Sequence, residues 1–196
     1  TIQELVKKVQ SDQLFYDQSG GGVTFSGGEV MTQPMDYIEE LAKQIKRLGI
    51  SLMIDTCGVA PLENYQRILP YADGFLYDLK FNNSQLHKRY VGAGNELVKE
   101  NLKYISDHGG HIYLRLILLA GINDSLETIA ETSTWLMENQ IKVAAINLLP
   151  YHDFGRDKYQ RLGRACTQNF TAPSQDRLNE ITGFLENAGY QVRVGG

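Results

Sequence analysis

Apolar and polar residues alternate along the chain in two patterns, one typical of buried strands and the other of amphipathic helices. Short, nearly continuous apolar runs predict five strands and a closing sixth, at 22–26, 50–54, 74–79, 111–119, 143–149 and 190–194. Between these runs, apolar residues recur three and four positions apart, which predicts helices; the clearest begins at Pro34 and ends before Gly49. Strands that alternate with helices indicate βαβ units and a parallel sheet.

Capping signals mark the starts of several helices. Thr1 and Glu4 have the spacing of a capping box at the first helix, which is predicted to reach about Gln13. Asp124 and Glu127 repeat this signal before a helix that is predicted to end near residue 139. A single helical region is expected between the third and fourth strands, ending near residue 106.

These elements predict an α/β fold of one domain, residues 1–196, in the form of a partial, open (β/α) barrel with parallel strands. A closed eight-unit barrel usually needs about 250 residues, whereas this chain has 196 residues and five clear units. Because the chain starts abruptly inside a helix, we expect it to be the trimmed end of something longer.

Composition and charge exclude several classes of function. Nineteen Lys and Arg residues against 23 Asp and Glu give a net charge of −4, without the basic patch that nucleic-acid binding requires. No apolar run is long enough to span a membrane. The N-terminal segment has no basic region followed by an apolar one, so we do not expect it to be a signal peptide. The two cysteines, Cys57 and Cys166, cannot build a disulfide framework, so we expect a cytoplasmic location.

Ionisable residues follow the carboxyl ends of the predicted strands, where the functional sites of parallel sheets collect. They are Glu29, Asp55 beside Thr56, Asp78 with Lys80, and His152, while Arg115 lies within the fourth strand. Half-buried charges are costly unless they are paired, so a purely structural barrel has no need for them. The flanking leucines of Arg115 point the other way, which predicts that its guanidinium faces the barrel interior.

The glycine pair Gly27 and Gly28 has two interpretations. It forms a tight turn, or it presents a strip of backbone to a ligand, because glycine permits close approach. In the second case Glu29 would hold a ligand ammonium group.

The carboxylates of Asp55 and Asp78 also have two interpretations. They cap a helix and a strand-end turn, or they bind a cation or polar ligand between neighbouring units. With Thr56 they offer hard oxygen ligands, which suit Na⁺, K⁺ or Mg²⁺. Cys57 is interpreted as a small buried residue.

Gly-Gly-Glu at 27–29 resembles the motif of radical S-adenosylmethionine enzymes and, more narrowly, of the activating enzymes of glycyl radical enzymes. The other matching segments follow in order along the chain. They are Asp-Thr-Cys-Gly at 55–58, Asp-Leu-Lys at 78–80, and Arg115 with Ala-Gly at 120–121. After them come Leu-Leu-Pro-Tyr-His at 148–152 with Gly155, Lys-Tyr at 158–159 and Leu-Gly at 162–163, and finally Arg-Val-Gly-Gly at 193–196. Each segment alone is weak evidence for the family, but all of them in the same order are specific to it, and they cover nearly the whole chain.

The resemblance implies a fold, an activity and partners. A reduced [4Fe–4S] cluster donates an electron to S-adenosylmethionine, and the resulting 5′-deoxyadenosyl radical removes hydrogen from a backbone glycine of a partner such as pyruvate formate-lyase. The implied partners are thus a glycyl radical enzyme and a reductant such as flavodoxin or ferredoxin, with no nucleic acid and no membrane.

The resemblance also implies roles for individual residues. S-adenosylmethionine would be bound by the residues that match the family motifs, namely Gly27, Gly28, Glu29, Asp78, Leu79, Lys80, Arg115 and His152. Asp55, Thr56 and Asp78 match a monovalent-cation site, to which the carbonyl of Leu76 would contribute.

Three departures from the family pattern stand out. Val30 follows the glutamate where Pro or Ala is commoner, and Ala120 replaces a frequent proline. The cysteine loop that holds the cluster in relatives, C-x(3)-C-x(2)-C, is absent. In relatives this loop lies on the first barrel strand, so the resemblance implies that the N-terminal βα unit is missing from this chain. We therefore expect this chain to be the C-terminal part of an activating enzyme, without the cluster and inactive by itself.

Two other classes of function remain open. Lys80 at a strand end could form a Schiff base with a carbonyl substrate, as in class I aldolases. Alternatively, the chain is a scaffold that binds a ligand or partner without catalysis.

Overall fold

The structure is a computed structural model that describes residues 1–152 and 169–195. Its strands are β1 (Gly22–Phe25), β2 (Ser51–Thr56), β3 (Gly74–Asp78), β4 (Ile112–Leu118), β5 (Ala145–Pro150) and β6 (Val192–Val194). Its α-helices are α1 (Ile2–Gln10), α2 (Gln13–Ser19), α3 (Met35–Arg47), α4 (Leu62–Ile68), α5 (Ser84–Val91), α6 (Glu96–Asp107), α7 (Leu126–Glu138) and α8 (Gln175–Asn187).

The six strands form one parallel sheet in the order β1-β2-β3-β4-β5-β6. This order confirms the prediction of repeated βα units, in which each crossover places the next strand beside the last. The carboxyl ends of all six strands therefore lie at one edge of the sheet.

Helices cover one face of the sheet through regularly spaced apolar residues. In α3, Met35, Ile38, Leu41, Ala42 and Ile45 are buried, as their spacing predicts. They pack with outward strand residues such as Leu52, Ile54 and Phe75, which are fully buried in the same core. None of the helices in 1–152 and 169–195 is long and apolar enough to cross a membrane.

Several local predictions need correction. The capping box of Thr1 and Glu4 is present, but α1 ends at Gln10 and the separate helix α2 follows. The cap of α7 is Ser125, whose Oγ accepts from the backbone N–H of Thr128.

The side chain of Asp124 instead accepts from the backbone N–H of Gly121, 2.8 Å away. The expected single helical region before β4 consists of α5 and α6. They are separate because Gly92 adopts a left-handed conformation, with φ of 95°, at the end of α5.

A buried asparagine fixes the loop that leaves β2. Asn101 on α6 is fully buried, and its Nδ2 donates to the carbonyls of Gly58 and Ala60, both at 2.8 Å. Gly58 has a φ of 79°, and a methyl group there would overlap the hydroxyl group of Tyr77. The carboxyl end of β2 is therefore held in one position.

Replacing Asn101 with alanine should leave two buried carbonyls without donors and open a small cavity. We expect Asn101→Ala to lower the free energy of unfolding by about 2–4 kcal/mol, measured by urea denaturation. The exposed neighbour Glu100 provides the control, and Glu100→Ala should change it by less than about 0.5 kcal/mol. Equal effects of both variants would contradict this role of Asn101.

Candidate functional site

The sheet has a second face that is lined by the residues alternating with the buried ones. In β4 the buried residues are Ile112, Leu114, Leu116 and Leu118, whereas Tyr113, Arg115 and Ile117 are half-buried. Successive strand residues point to opposite faces, so Arg115 lies on the face away from the core, as predicted. We call this the open face; it also carries Asp55, Asp78 and Asn147.

At the centre of the open face, one guanidinium group pairs with two carboxylates. Nε of Arg115 donates to Oδ1 of Asp78 at 2.6 Å, and its Nη2 donates to Oδ1 of Asp55. These side chains are 16% (Arg115), 21% (Asp78) and 27% (Asp55) exposed. Oγ of Ser26 donates to the other oxygen of Asp55 at 2.9 Å, which brings the end of β1 into the same network.

Burial and neighbouring charges shift the pKa values of Asp78 and Arg115 in opposite directions. Burial raises the pKa of Asp78, and the guanidinium of Arg115 opposes that rise. Burial lowers the pKa of Arg115, but attraction to Asp78 and Asp55 outweighs it, so the pKa is raised overall. Arg115 therefore remains charged and supplies positive charge to both carboxylates.

Glu29 accepts three hydrogen bonds, two of them from the end of β2 and one from its own loop. Its Oε1 accepts from Oγ1 of Thr56 at 2.8 Å and from the backbone N–H of Met31 at 3.1 Å, and its Oε2 accepts from the backbone N–H of Cys57 at 2.7 Å. We call these contacts the Glu29 clamp. Most of the acceptor capacity of this carboxylate is thus used inside the fold, and its contact with a ligand ammonium group stays a prediction.

The hydroxyl group of Thr56 is fully engaged by the fold. Thr56 is 2% exposed and gives its proton to Glu29, so Tyr65, 2.8 Å away, must donate to Thr56. The same oxygen accepts from the backbone N–H of Gly58 at 3.1 Å. A cation at Asp55, Thr56 and Asp78 stays a prediction, in which Thr56 would contribute its carbonyl oxygen rather than its hydroxyl.

Gly27 and Gly28 form an open strip of backbone beyond β1. Their φ angles are 97° and 65°, and a Cβ atom built at either position meets nothing within 4 Å. Both residues are exposed. The strip has room for a ligand against its N–H and C=O groups.

The remaining predicted residues lie around this centre in different environments. Leu79 is 2% exposed and its side chain lies in the core, so only its backbone could meet a ligand. Lys80 lies at a cavity of about 410 Å³ that is also lined by Phe81, Tyr90 and Ile117. His152 is exposed and follows β5.

Cys57 is half-buried, and burial together with the hydrogen bond to Glu29 raises the pKa of its thiol. Among the residues that the structure describes, no group of three or more His, Cys, Asp or Glu side chains could hold a metal ion. Cys166, the motif positions at 155, 158–159 and 162–163, and residue 196 lie outside the described residues.

The structure brings Asp55, Asp78 and Arg115 together and joins Glu29 to Thr56. Lys80 is close enough that its charge also opposes the rise in the pKa of Asp78. Sequence reasoning missed the roles of Ser26, which donates to Asp55, and Tyr65, which donates to Thr56. For Ser26 a signal was available, because it is a polar residue directly after the apolar run of β1.

Replacing Glu29 with glutamine tests the clamp without any ligand. In the variant, the NH₂ group of the amide would face a hydrogen-bond donor of the clamp, so at least one of the three hydrogen bonds to this side chain would be lost. We therefore expect Glu29→Gln to lower the free energy of unfolding by about 1–3 kcal/mol. Thermal and urea denaturation would measure it. The exposed Glu186→Gln serves as the control; a Glu29 variant as stable as this control would contradict the clamp.

The chain is similar over most or all of its length to several curated activating enzymes. It is 37% identical over 197 residues to the trans-4-hydroxy-L-proline dehydratase activating enzyme of Clostridioides difficile, covering 100% of this chain and 65% of that protein. It is 36% identical over 162 residues to the pyruvate formate-lyase-activating enzyme of Clostridium pasteurianum, covering 83% and 67%. The choline trimethylamine-lyase activating enzyme of Oleidesulfovibrio alaskensis is 39% identical over 165 residues, covering 83% and 53%. The chain thus spans about half to two thirds of the length of these relatives.

Solved structures show the same fold. A domain of a pyruvate-formate lyase-activating enzyme from Bacteroides vulgatus superposes with a TM-score of 0.75 at 26% identity, covering 90% of this chain and 99% of that one. Streptococcus suis SuiB bound to S-adenosylmethionine gives a TM-score of 0.63 at 17% identity, covering 96% of this chain and 42% of that one, and shows the fold alone. No family model matches the chain. Its fold is the partial barrel of radical S-adenosylmethionine enzymes, and the chain belongs to the family of glycyl-radical-enzyme activating enzymes.

Proposed function

We propose that the complete protein binds S-adenosylmethionine on the open face and uses it to place a radical on a backbone glycine of a partner enzyme. The observation that carries this proposal is the ion-pair cluster of Asp55, Asp78 and Arg115 beside the open strip of Gly27 and Gly28. In a chain of the activating-enzyme family, such a polar centre at the carboxyl ends of β1 to β4 is where the ligand would bind.

The residues present fit a zwitterionic ligand with a sulfonium group. The strip of Gly27 and Gly28 offers backbone carbonyls to an ammonium group, and Lys80 offers a cation to a carboxylate. Asp78 and Asp55 provide negative charge beside a sulfonium centre, while Arg115 keeps them in place. Bound there, S-adenosylmethionine would supply on reductive cleavage the radical that removes a hydrogen atom from glycine.

The described residues do not fit an iron–sulfur cluster. Such clusters require several thiolates at one point, and Cys57 is the single cysteine in 1–152 and 169–195. The thiolates would have to come from outside the residues of this chain. A sample of this chain alone should therefore lack the activity.

The partner and the reductant are also proposals. The relatives carry names that refer to different substrates, among them a hydroxyproline dehydratase, a choline trimethylamine-lyase and pyruvate formate-lyase. We infer that the partner is a glycyl radical enzyme and that a flavodoxin or ferredoxin supplies the electron. A monovalent cation held by Asp55, Asp78 and backbone carbonyls belongs to the same proposal.

Radical formation on a partner tests the function. The complete protein, reduced and anaerobic, should convert S-adenosylmethionine to 5′-deoxyadenosine and give a glycyl-radical doublet in electron paramagnetic resonance with one of the three enzymes named above. Lys80→Met should weaken binding of S-adenosylmethionine by about tenfold or more through the loss of a charge-assisted hydrogen bond.

The exposed Lys7→Met on α1 serves as the matched control and should bind normally. Failure to cleave S-adenosylmethionine under reducing conditions would contradict the proposal. Borohydride trapping of a carbonyl compound on Lys80 would favour the Schiff-base alternative instead.

A further inference from the structure

Lys80 lies two residues beyond the end of β3, so its position depends on the loop that follows the strand. The backbone N–H of Leu79 still donates to the carbonyl of Arg115 at 3.0 Å. The side chains of Leu79 and Phe81 are buried, at 2% and 6% exposed, and Lys80 is half-buried between them. This alternation turns the side chain of Lys80 away from the core, to the side of Asp78.

The charge of Lys80 acts on the centre of the site. It opposes the rise in the pKa of Asp78 on β3 and of the Cys57 thiol just after β2. The ammonium group is therefore near the carboxyl ends of both strands, where it would meet the carboxylate of a bound zwitterion.

A buried asparagine holds the loop directly after Lys80. Asn95 is 1% exposed, and its Nδ2 donates to the carbonyls of Phe81 and Asn82, both at 2.8 Å. Exchanging oxygen and nitrogen by rotating the amide would set an oxygen against both carbonyls, so these contacts fix its orientation. The amide donor is thus used on two successive residues of this loop.

The place of Asn95 in the chain makes this contact unusual. Asn95 is the N-cap residue of α6, where an asparagine side chain commonly accepts from the first turn of its own helix. Asn83 does so at the start of α5, where its Oδ1 accepts from the N–H groups of Gln85 and Leu86. For α6, the described residues show no capping hydrogen bond from the side chain of Asn95. Its amide is turned to the Lys80 loop instead, which points to a role beyond starting the helix.

A second buried asparagine holds the carbonyl of Lys80 itself. Asn123 is 6% exposed, and its Nδ2 donates to the carbonyl of Lys80 at 3.3 Å and to that of Ile117 at 2.7 Å. Its Oδ1 accepts from the backbone N–H of Leu119 at 2.7 Å. Three consecutive carbonyls, at 80–82, thus accept from buried amides, and the loop is connected both to α6 and to the end of β4.

We propose that Asn95 is a positioning residue for the ligand: by holding the carbonyls of Phe81 and Asn82, it fixes the ammonium group of Lys80 where the carboxylate of S-adenosylmethionine binds. Asn123 supports the same loop from β4. The proposal rests on the proposed function, since it concerns the affinity of the same site for its ligand. An asparagine with a structural role alone would change stability without any dependence on Lys80.

A double-mutant cycle in the complete protein tests this coupling. Asn95→Ser removes both amide contacts but keeps a residue that can cap α6. With Lys80 present, it should weaken binding of S-adenosylmethionine about fivefold, measured by isothermal titration calorimetry. Combined with Lys80→Met, it should weaken binding less than about 1.5-fold, because the side chain that Asn95 positions is then absent.

Asn101→Ala is the matched control. Asn101 lies on the same helix and also donates to two carbonyls at 2.8 Å, but it holds the loop after β2. Its effect on binding should be the same with and without Lys80→Met. Asn123→Ala releases the carbonyl of Lys80 and gives a second cycle, which should show coupling to Lys80 even if Asn95→Ser fails to fold.

The position of Lys80 can also be measured without a ligand. After reductive methylation of the lysines with ¹³C-formaldehyde, the resonance of Lys80 is identified by its absence in Lys80→Met. Asn95→Ser should move this resonance to the position of the exposed lysines, such as Lys7, because the loop no longer fixes the side chain.

Two results would overturn the inference: an unchanged Lys80 resonance in Asn95→Ser, or equal weakening of binding with and without Lys80→Met. The proposed function is judged separately. If the wild type does not bind S-adenosylmethionine at all, the proposed function fails, and the resonance alone decides whether Asn95 positions Lys80.

Discussion

The guanidinium group of Arg115 holds two carboxylates on the open face, and the geometry of the site depends on that interaction. Buried or half-buried charges destabilise a protein unless they are paired, so Asp55, Asp78 and Arg115 require one another. They come from β2, β3 and β4, and the pairing therefore fixes the relative positions of the ends of β2 and β3 and the middle of β4. The same pairing explains why an arginine occurs in the middle of an otherwise apolar strand.

The site around this centre is built from contacts between loops and neighbouring strand ends. The Glu29 clamp joins the loop after β1 to β2, and Asn101 holds the loop after β2 from the helical side. Between them, Gly27 and Gly28 remain open, because their backbone conformation and lack of side chains leave space beside them. Side-chain contacts thus hold the loops after β1 and β2 in position, while the backbone of Gly27 and Gly28 stays exposed where a ligand would bind.

Much of the fold could be predicted from the sequence, because strand burial and helix spacing are local patterns. The orientation of Arg115 followed from simple alternation with its leucine neighbours. The predicted cap of α7 was wrong because Asp124 and Ser125 are both residues that can cap a helix. Asp124 accepts from the backbone N–H of Gly121 instead, and Ser125 caps α7. The division between α5 and α6 depends on a left-handed glycine, which the spacing of apolar residues does not reveal.

The details of the site were less accessible, because they arise from contacts between distant residues. Glu29 and Thr56 are 27 positions apart, and nothing in the Gly-Gly-Glu motif shows that the carboxylate turns inward. A sequence can indicate which polar residues lie at the functional edge of a sheet, but the register of the strands decides which side chains contact each other.

The free energy of unfolding of two variants tests the central role of Arg115 most directly. Arg115→Met leaves two carboxylates without a cation and should lower this energy by about 3–5 kcal/mol. Adding Asp55→Asn and Asp78→Asn removes the unpaired charges, and the triple variant should recover more than half of the loss. A triple variant as unstable as Arg115→Met would show that the ion-pair cluster does not organise the open face.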